Sequence, residues 1–311
     1  MQRRKSFAVR LGHKSIQTNL RKRPSLNRLN RALCHGLLPI TQNHTPGCFI
    51  IWAVSNSAPF ALVEAFCTSQ PASGNPAGVV LLQEWLPDTA LQSIAATINQ
   101  AETAFVCPES GDTRRIRWFT PTTEVRLCGH ATLAAATVLK PSQPSTFESL
   151  SGPLTVHPTN TGFALDFPTF MPQLVAENPL KNLIPRCQES YQDRDDWIAL
   201  LSTEQEVIEC IPDYEAISKL EGRGLSITSP GSNSDFVYRF FAPQAGVPED
   251  HATGSAQTYL TPLWCTKLQR VQLRSQQLSP RGAEFHTELR TNRVYIEGRS
   301  NILITGTIRL P

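Results

Sequence analysis

The sequence predicts a mixed α/β (α+β) protein built of two related, pseudo-symmetric domains, and three observations carry that prediction. The first is a repeat. Arg117-Trp118-Phe119-Thr120-Pro121 opens one copy and Arg239-Phe240-Phe241-Ala242-Pro243 the other. Each runs through a turn to a valine, Val125 or Val247, and then to a tight glycine step: Cys128-Gly129-His130-Ala131 or Thr253-Gly254-Ser255-Ala256. Ordered matches over about twenty residues argue for duplication. The second is the helix that follows the first step: "ATLAAATVL" has so few polar side chains that it suits burial nearly all round, with strands packed about it. The third is the alternation of short apolar strand patterns with helical spacing elsewhere in the chain.

Taken in order, "ALVEAF", "AGVVLL", "ETAFV" and "GFALDF" read as strands, as do "IRWF" and "VYRFF" at the start of each repeat. "DTALQSIAATINQ" has helical spacing, with Asp88 after Pro87 as its N-cap. In the second half "DWIALL" and "GLSITS" are strands, with "EQEVIECI" and "DYEAISKLE" between them as helices. "LRSQQLSPRGAEFHTEL", "RVYIEG" and "NILITGTIRL" close the chain as strands separated by glycine turns. Residues 175–196 are polar and interrupted by proline, the pattern of a linker. The organisation expected is therefore a basic extension at 1–60, one domain at 61–174 and a second at 175–311, whose last strands cross back.

The composition suits a globular chain, 40% hydrophobic and 18% charged, and "CFIIWAV" is far too short for a membrane span. The net charge of +3 gives no general argument for nucleic acid as a partner. The charge is unevenly spread. No Asp or Glu precedes Glu64, while Arg3, Arg4, Lys5, Arg10, Lys14, Arg21, Lys22, Arg23, Arg28 and Arg31 crowd the start. A mitochondrial presequence, a basic disordered arm and upstream sequence from the gene model all fit that pattern. The 8 cysteines stand singly, without zinc spacing, and imply free thiols in a reducing, cytoplasmic setting; a mitochondrial one follows if the start is a presequence.

A glycine at a helix start admits a ligand to the backbone, and the first N–H groups there have no internal partner. Two such ends, at Gly129 and Gly254, could hold one small anion across a cleft; alternatively, both glycines serve only tight packing. Around them lie Cys128 and His130, then Glu249, Asp250, His251 and Ser255, while Glu102 opens an apolar strand where a carboxylate is costly unless paired or functional. The chain has no G-x-S-x-G elbow, Walker A sequence or H-E-x-x-H, and the G-x-G of "EGRGLSI" lacks its strand and third glycine. Proton transfer without metal or nucleotide cofactor is the chemistry that remains.

"GNPAGVVLL", "INQAETAFV", "RWFTPTTEVRLCGHATLAAATVL", "DFVYRFFAPQAGVPEDHATGSA" and the late Gln277, Ser279 and Arg281-Gly282 resemble, in order, the PhzF phenazine-biosynthesis-like family. The resemblance runs from about Ala61 to Leu310 and leaves the basic start without a counterpart. It implies the diaminopimelate-epimerase-type fold: in each domain a mixed, mainly antiparallel sheet wraps a central helix, and the active site lies between the domains. It also implies a cofactor-free isomerase, usually a homodimer, acting on a small cyclic carboxylated metabolite as in trans-2,3-dihydro-3-hydroxyanthranilate isomerisation. Glu102 would be the acid/base, His130 and Asp250 would orient substrate and assist proton movement, and Gly129, Gly254 and Ser255 would bind its carboxylate. The fold's epimerases use one cysteine on each domain. Here Cys128 faces Thr253 in the repeat, so paired-thiol epimerisation is disfavoured and Cys128 reads as a packing residue. Glu64 replaces a customary Asp. An epimerase of an amino-acid-like substrate and a non-catalytic binding protein are the rival readings.

Overall fold

Strands dominate the computed structural model, which describes residues 56–108 and 113–311. The reading of the basic extension therefore falls, up to residue 55, outside the described residues. The first half runs β1 (Ser57–Cys67), β2 (Asn75–Leu81), α1 (Asp88–Ile98), β3 (Glu102–Pro108), β4 (Arg114–Phe119), β5 (Glu124–Val125), α2 (Gly129–Leu139), β6 (Ser145–Glu148), β7 (Leu154–Pro158), β8 (Phe163–Pro168) and β9 (Gln173–Val175). The second runs β10 (Glu189–Gln192), β11 (Asp196–Leu200), α3 (Glu204–Glu209), α4 (Tyr214–Ile217), β12 (Gly224–Pro230), β13 (Phe236–Phe241), α5 (Gln257–Leu268), β14 (Gln272–Gln277), β15 (Ala283–Arg290) and β16 (Arg293–Arg309).

The strands join in one path, β1-β2-β3-β4-β6-β7-β8-β16-β15-β14-β13-β12-β11-β10-β9, with β1 also paired to β16. That extra pairing turns the path from β1 to β8 back on itself. Most pairs are antiparallel; β2–β3, β4–β6, β11–β12 and β13–β14 are parallel. Inside the first ring lies α2, buried from Gly129 to Ala136. Its alanines let surrounding strands approach closely, and Lys140, in a left-handed conformation, ends it. Its counterpart α5 is buried from Gln257 to Cys265, apart from Thr258. Both helices pack into one core with Trp118, Phe167, Phe236, Trp264 and Phe285.

The helix around which each sheet wraps was legible in the sequence, and so were the strands of both repeats. Four expectations need correction. Asp88 is the first residue of α1 rather than its cap, which is Pro87; its carboxylate instead accepts a bond from Arg117 Nη1 at 2.9 Å. The second helix starts as a 3-10 turn, Gly254–Ala256, before α5. Residues 175–196 are no plain linker, because β10 lies within the sheet and Leu180, Ile184 and Cys187 are buried. Finally, Gly298 makes no turn: "RVYIEG" and "NILITGTIRL" form the single strand β16. The glycine is there because a Cβ would sit 2.2 Å from Phe66 Cδ1.

Candidate active site

Two elements of the first half and one loop of the second bring the expected residues together. Asn99, left-handed at φ 53°, ends α1 and turns the chain so that Glu102 becomes the first residue of β3. Cys128 is extended and precedes α2, whose second residue is His130, only 6% exposed. From the second half comes the Asp250–Ala256 segment, pinned by Gln277. Its Oε1 accepts from Thr253 N at 2.6 Å and its Nε2 donates to the Asp250 carbonyl at 2.6 Å. Ser279 adds a bond from Oγ to the His251 carbonyl at 2.7 Å. These later residues, quoted for the resemblance, shape the loop.

A chain of polar contacts crosses from one half to the other. Glu102 Oε2 stands 3.0 Å from His130 Nε2, at ion-pair distance, yet has no aligned hydrogen-bond donor. His130 Nδ1 lies 3.4 Å from Asn75 Nδ2, which donates to Asp250 Oδ1 at 2.8 Å. Thr253 Oγ1 donates to Asp250 Oδ2 at 2.6 Å. Both oxygens of Asp250 are thereby occupied, which suits an orienting role better than proton carriage. Glu102 keeps a free oxygen.

The two glycine steps meet: a Cβ on Gly129 would lie 3.8 Å from Gly254 Cα. Gly254 also has a packing reason, since its Cβ would come within 3.1 Å of the Phe66 ring. Gly129 has none of comparable force, its nearest approach being 3.4 Å to Phe167. Ser255 Oγ accepts a bond from Arg223 Nη1 at 2.8 Å, and Arg223 is ion-paired with Asp196. Sequence reasoning missed Arg223, whose segment was set aside as an incomplete glycine motif, and it included Asn75 only within the quoted "GNPAGVVLL", without a role. No local pattern signals either contact. They join residues 32 and 175 positions apart.

Burial favours a neutral His130 ring, but the Cys128 sulfur and the Glu102 carboxylate outweigh it and hold the ring well above the usual histidine value. Cys128 keeps its proton, because burial, helped by the Glu102 charge, pushes the thiol up to about 11. The effective cause at His130 is therefore Glu102. Burial lowers His251, and its Nδ1 has no partner. Donor atoms of Glu102, Cys128 and His130 all lie within 4.8 Å of one another, residue types and spacing that could also hold a metal ion. A groove of about 620 Å³ lined by His157, Arg274 and Tyr295 contains none of the site residues.

Two sheet halves, each around a helix whose start faces the other, define an epimerase-type α+β fold. The chain belongs to the phenazine biosynthesis-like protein family, PhzC-PhzF, whose model matches residues 63–306. It is 44% identical over 260 residues to an uncharacterized isomerase of Pseudomonas aeruginosa, covering 81% of this chain and 98% of that one. It is 32% identical to the phenazine biosynthesis-like domain-containing protein of Homo sapiens, covering 80% and 98%. A crystal structure of a PhzF-family protein from Enterococcus faecalis superposes with a TM-score of 0.78 at 37% identity, over 82% of this chain and 100% of that one. A hydroxyproline epimerase from Agrobacterium vitis shares the fold, with a TM-score of 0.52 at 10% identity over 82% and 93%. Three of the curated relatives, in Pseudomonas aeruginosa and Halalkalibacterium halodurans, are named uncharacterized isomerases. No helix of the described residues is long and apolar enough to cross a membrane.

Proposed function

We propose that the protein is a cofactor-independent isomerase that moves a proton on a small, cyclic, carboxylated metabolite of the trans-2,3-dihydro-3-hydroxyanthranilate type, in secondary metabolism. The observation that carries this reading is the buried Glu102 Oε2, without an aligned donor and 3.0 Å from His130 Nε2. Glu102 takes a proton from a substrate carbon and returns it to another. The electron pair left behind delocalises into the substrate, and the His130 ring steadies the charge that develops. Asp250, with both oxygens bonded, fixes the geometry. Backbone N–H groups at Gly129 and Gly254, with the Ser255 hydroxyl, bind the carboxylate, and the Arg223 guanidinium beside Ser255 adds attraction for an anion. Association as a homodimer belongs to the same proposal, with exposed Ile302, Leu303 and Ile304 of β16 as the apolar surface available to it. So does a cytoplasmic setting.

Paired-thiol epimerisation finds little support, because Thr253 stands opposite Cys128 in the repeat and its hydroxyl is engaged by Asp250. The test is proton NMR in D₂O with trans-2,3-dihydro-3-hydroxyanthranilate and related cyclic amino acids, comparing wild type with Glu102→Gln. Wild type is expected to isomerise substrate or exchange deuterium. Glu102→Gln should lose about 10²–10⁴-fold, the usual contribution of a general base. Equal rates would remove Glu102 from the mechanism. Prior dialysis against EDTA is expected to leave the rate unchanged; a lost rate restored by a divalent metal would instead make Glu102, Cys128 and His130 a metal site.

A further inference from the structure

Asn75, the first residue of β2, is fully buried, and neither the repeat nor the resemblance gives it a role. Its amide nitrogen has two neighbours on opposite sides of the seam: Asp250 Oδ1 at 2.8 Å and His130 Nδ1 at 3.4 Å. The carboxylate decides which way the amide points, since only the NH₂ end can donate to an anion. One N–H then faces Asp250 and the other faces Nδ1. A donor there requires Nδ1 to be the ring nitrogen without a proton. Asn75 Oδ1, left buried with no partner, is the counterpart of this orientation.

We propose that Asn75 is a positioning residue that holds His130 as its Nε2–H tautomer and links that choice to Asp250 across the two halves. The ring N–H is thereby presented on the side of Glu102 Oε2, where the reaction needs it. Glu102 from β3 and Cys128 from the start of α2 face the ring directly, Asp250 acts on it through Asn75, and His251 lies in the same charge network. Glu102 favours a second proton on the ring, and the Asn75 donor at Nδ1 opposes it. Removing the donor should let the ring hold that second proton to higher pH.

The kinetic part of this inference rests on the isomerase reading; the tautomer does not. The test is long-range ¹H–¹⁵N NMR of the full chain labelled in its histidine rings, with the His130 signals identified by their loss in His130→Gln. In wild type the neutral ring is expected as the Nε2–H form alone. Asn75→Ala should show both tautomers and a titration moved to higher pH. Asp250→Asn, which removes the anion that orients the amide, should also mix the tautomers and decides the matter if Asn75→Ala does not fold. In the isomerase assay Asn75→Ala should lower kcat about tenfold to a hundredfold, with KM changed less than about threefold, the low end of an acid–base contribution. A wild-type tautomer and titration retained in the folded variants overturns the proposal whatever the activity does. A wild type without isomerase activity but with the expected tautomer shift would fail the functional reading alone.

Discussion

His130 is 6% exposed, and burial alone would drive its ring to the neutral form. The Glu102 carboxylate 3.0 Å away reverses that preference. A group held above its usual value of 6.5 binds its proton more tightly in the folded chain than in the unfolded one. The stability it contributes is complete below about pH 6.5 and disappears as pH rises through the raised folded value. The Tm advantage of wild type over His130→Gln should therefore be largest at low pH and narrow steadily above about 6.5. Thermal unfolding of both proteins between about pH 5 and 9 reads this directly, and a constant difference would contradict it. Cys128 shifts in the same direction. Its thiol, pushed up to about 11 chiefly by burial, stays protonated at neutral pH.

At the scale of elements, apolar patterning fixed most of what the eye can follow along the chain. α2 was legible because eight successive buried residues leave no polar face, and β4 and β13 because aromatic runs between turns have few other homes. The motifs that carry the resemblance brought Glu102, His130 and Asp250 forward as candidates, and the fold places them in one chain of contacts. Legibility failed where a residue answers to a neighbour remote in sequence. Gly298 reads as a turn, yet its missing Cβ makes room for Phe66, which is wholly buried against Phe285 at 4.5 Å between ring centres. Arg223 and Asn75 are ordinary residues until the opposite half is in place. The glycine provides the test. Gly298→Ala should destabilise the fold by about 1–3 kcal/mol, the range for overpacking a filled core. Gly306→Ala on the same strand, where a Cβ meets nothing within 4 Å, should cost far less. Equal Tm values for the two variants would show that Phe66 moves aside freely.

Across the whole molecule, β16 belongs to both halves. Its residues Arg293 to Glu297 pair with β8, His286 to Arg290 of β15 flank the same stretch, and Arg299 to Arg309 pair with β1. The buried Glu64 of β1 meets Arg281 from the second half at 2.5 Å, and Arg281 Nε also donates to the Gly74 carbonyl at 2.8 Å. The β8–β16 and β1–β16 ladders and the Glu64–Arg281 pair join the two halves, and the site at the seam draws its residues from both. The register of β16 against β1 has another consequence. Ser57 lies opposite Arg309, and Leu310 N donates to the Asn56 carbonyl at 2.7 Å. The place where this fold opens is thus a matter of chain order, not of architecture. Joining Leu310 to Asn56 through a short glycine-serine link and reopening the chain at the exposed Leu150 turn should give a permuted protein with the same ring of strands. Its circular dichroism and Tm should stay close to those of the parent, while collapse of the permuted chain would mean that β1 must form before β16 can find its place.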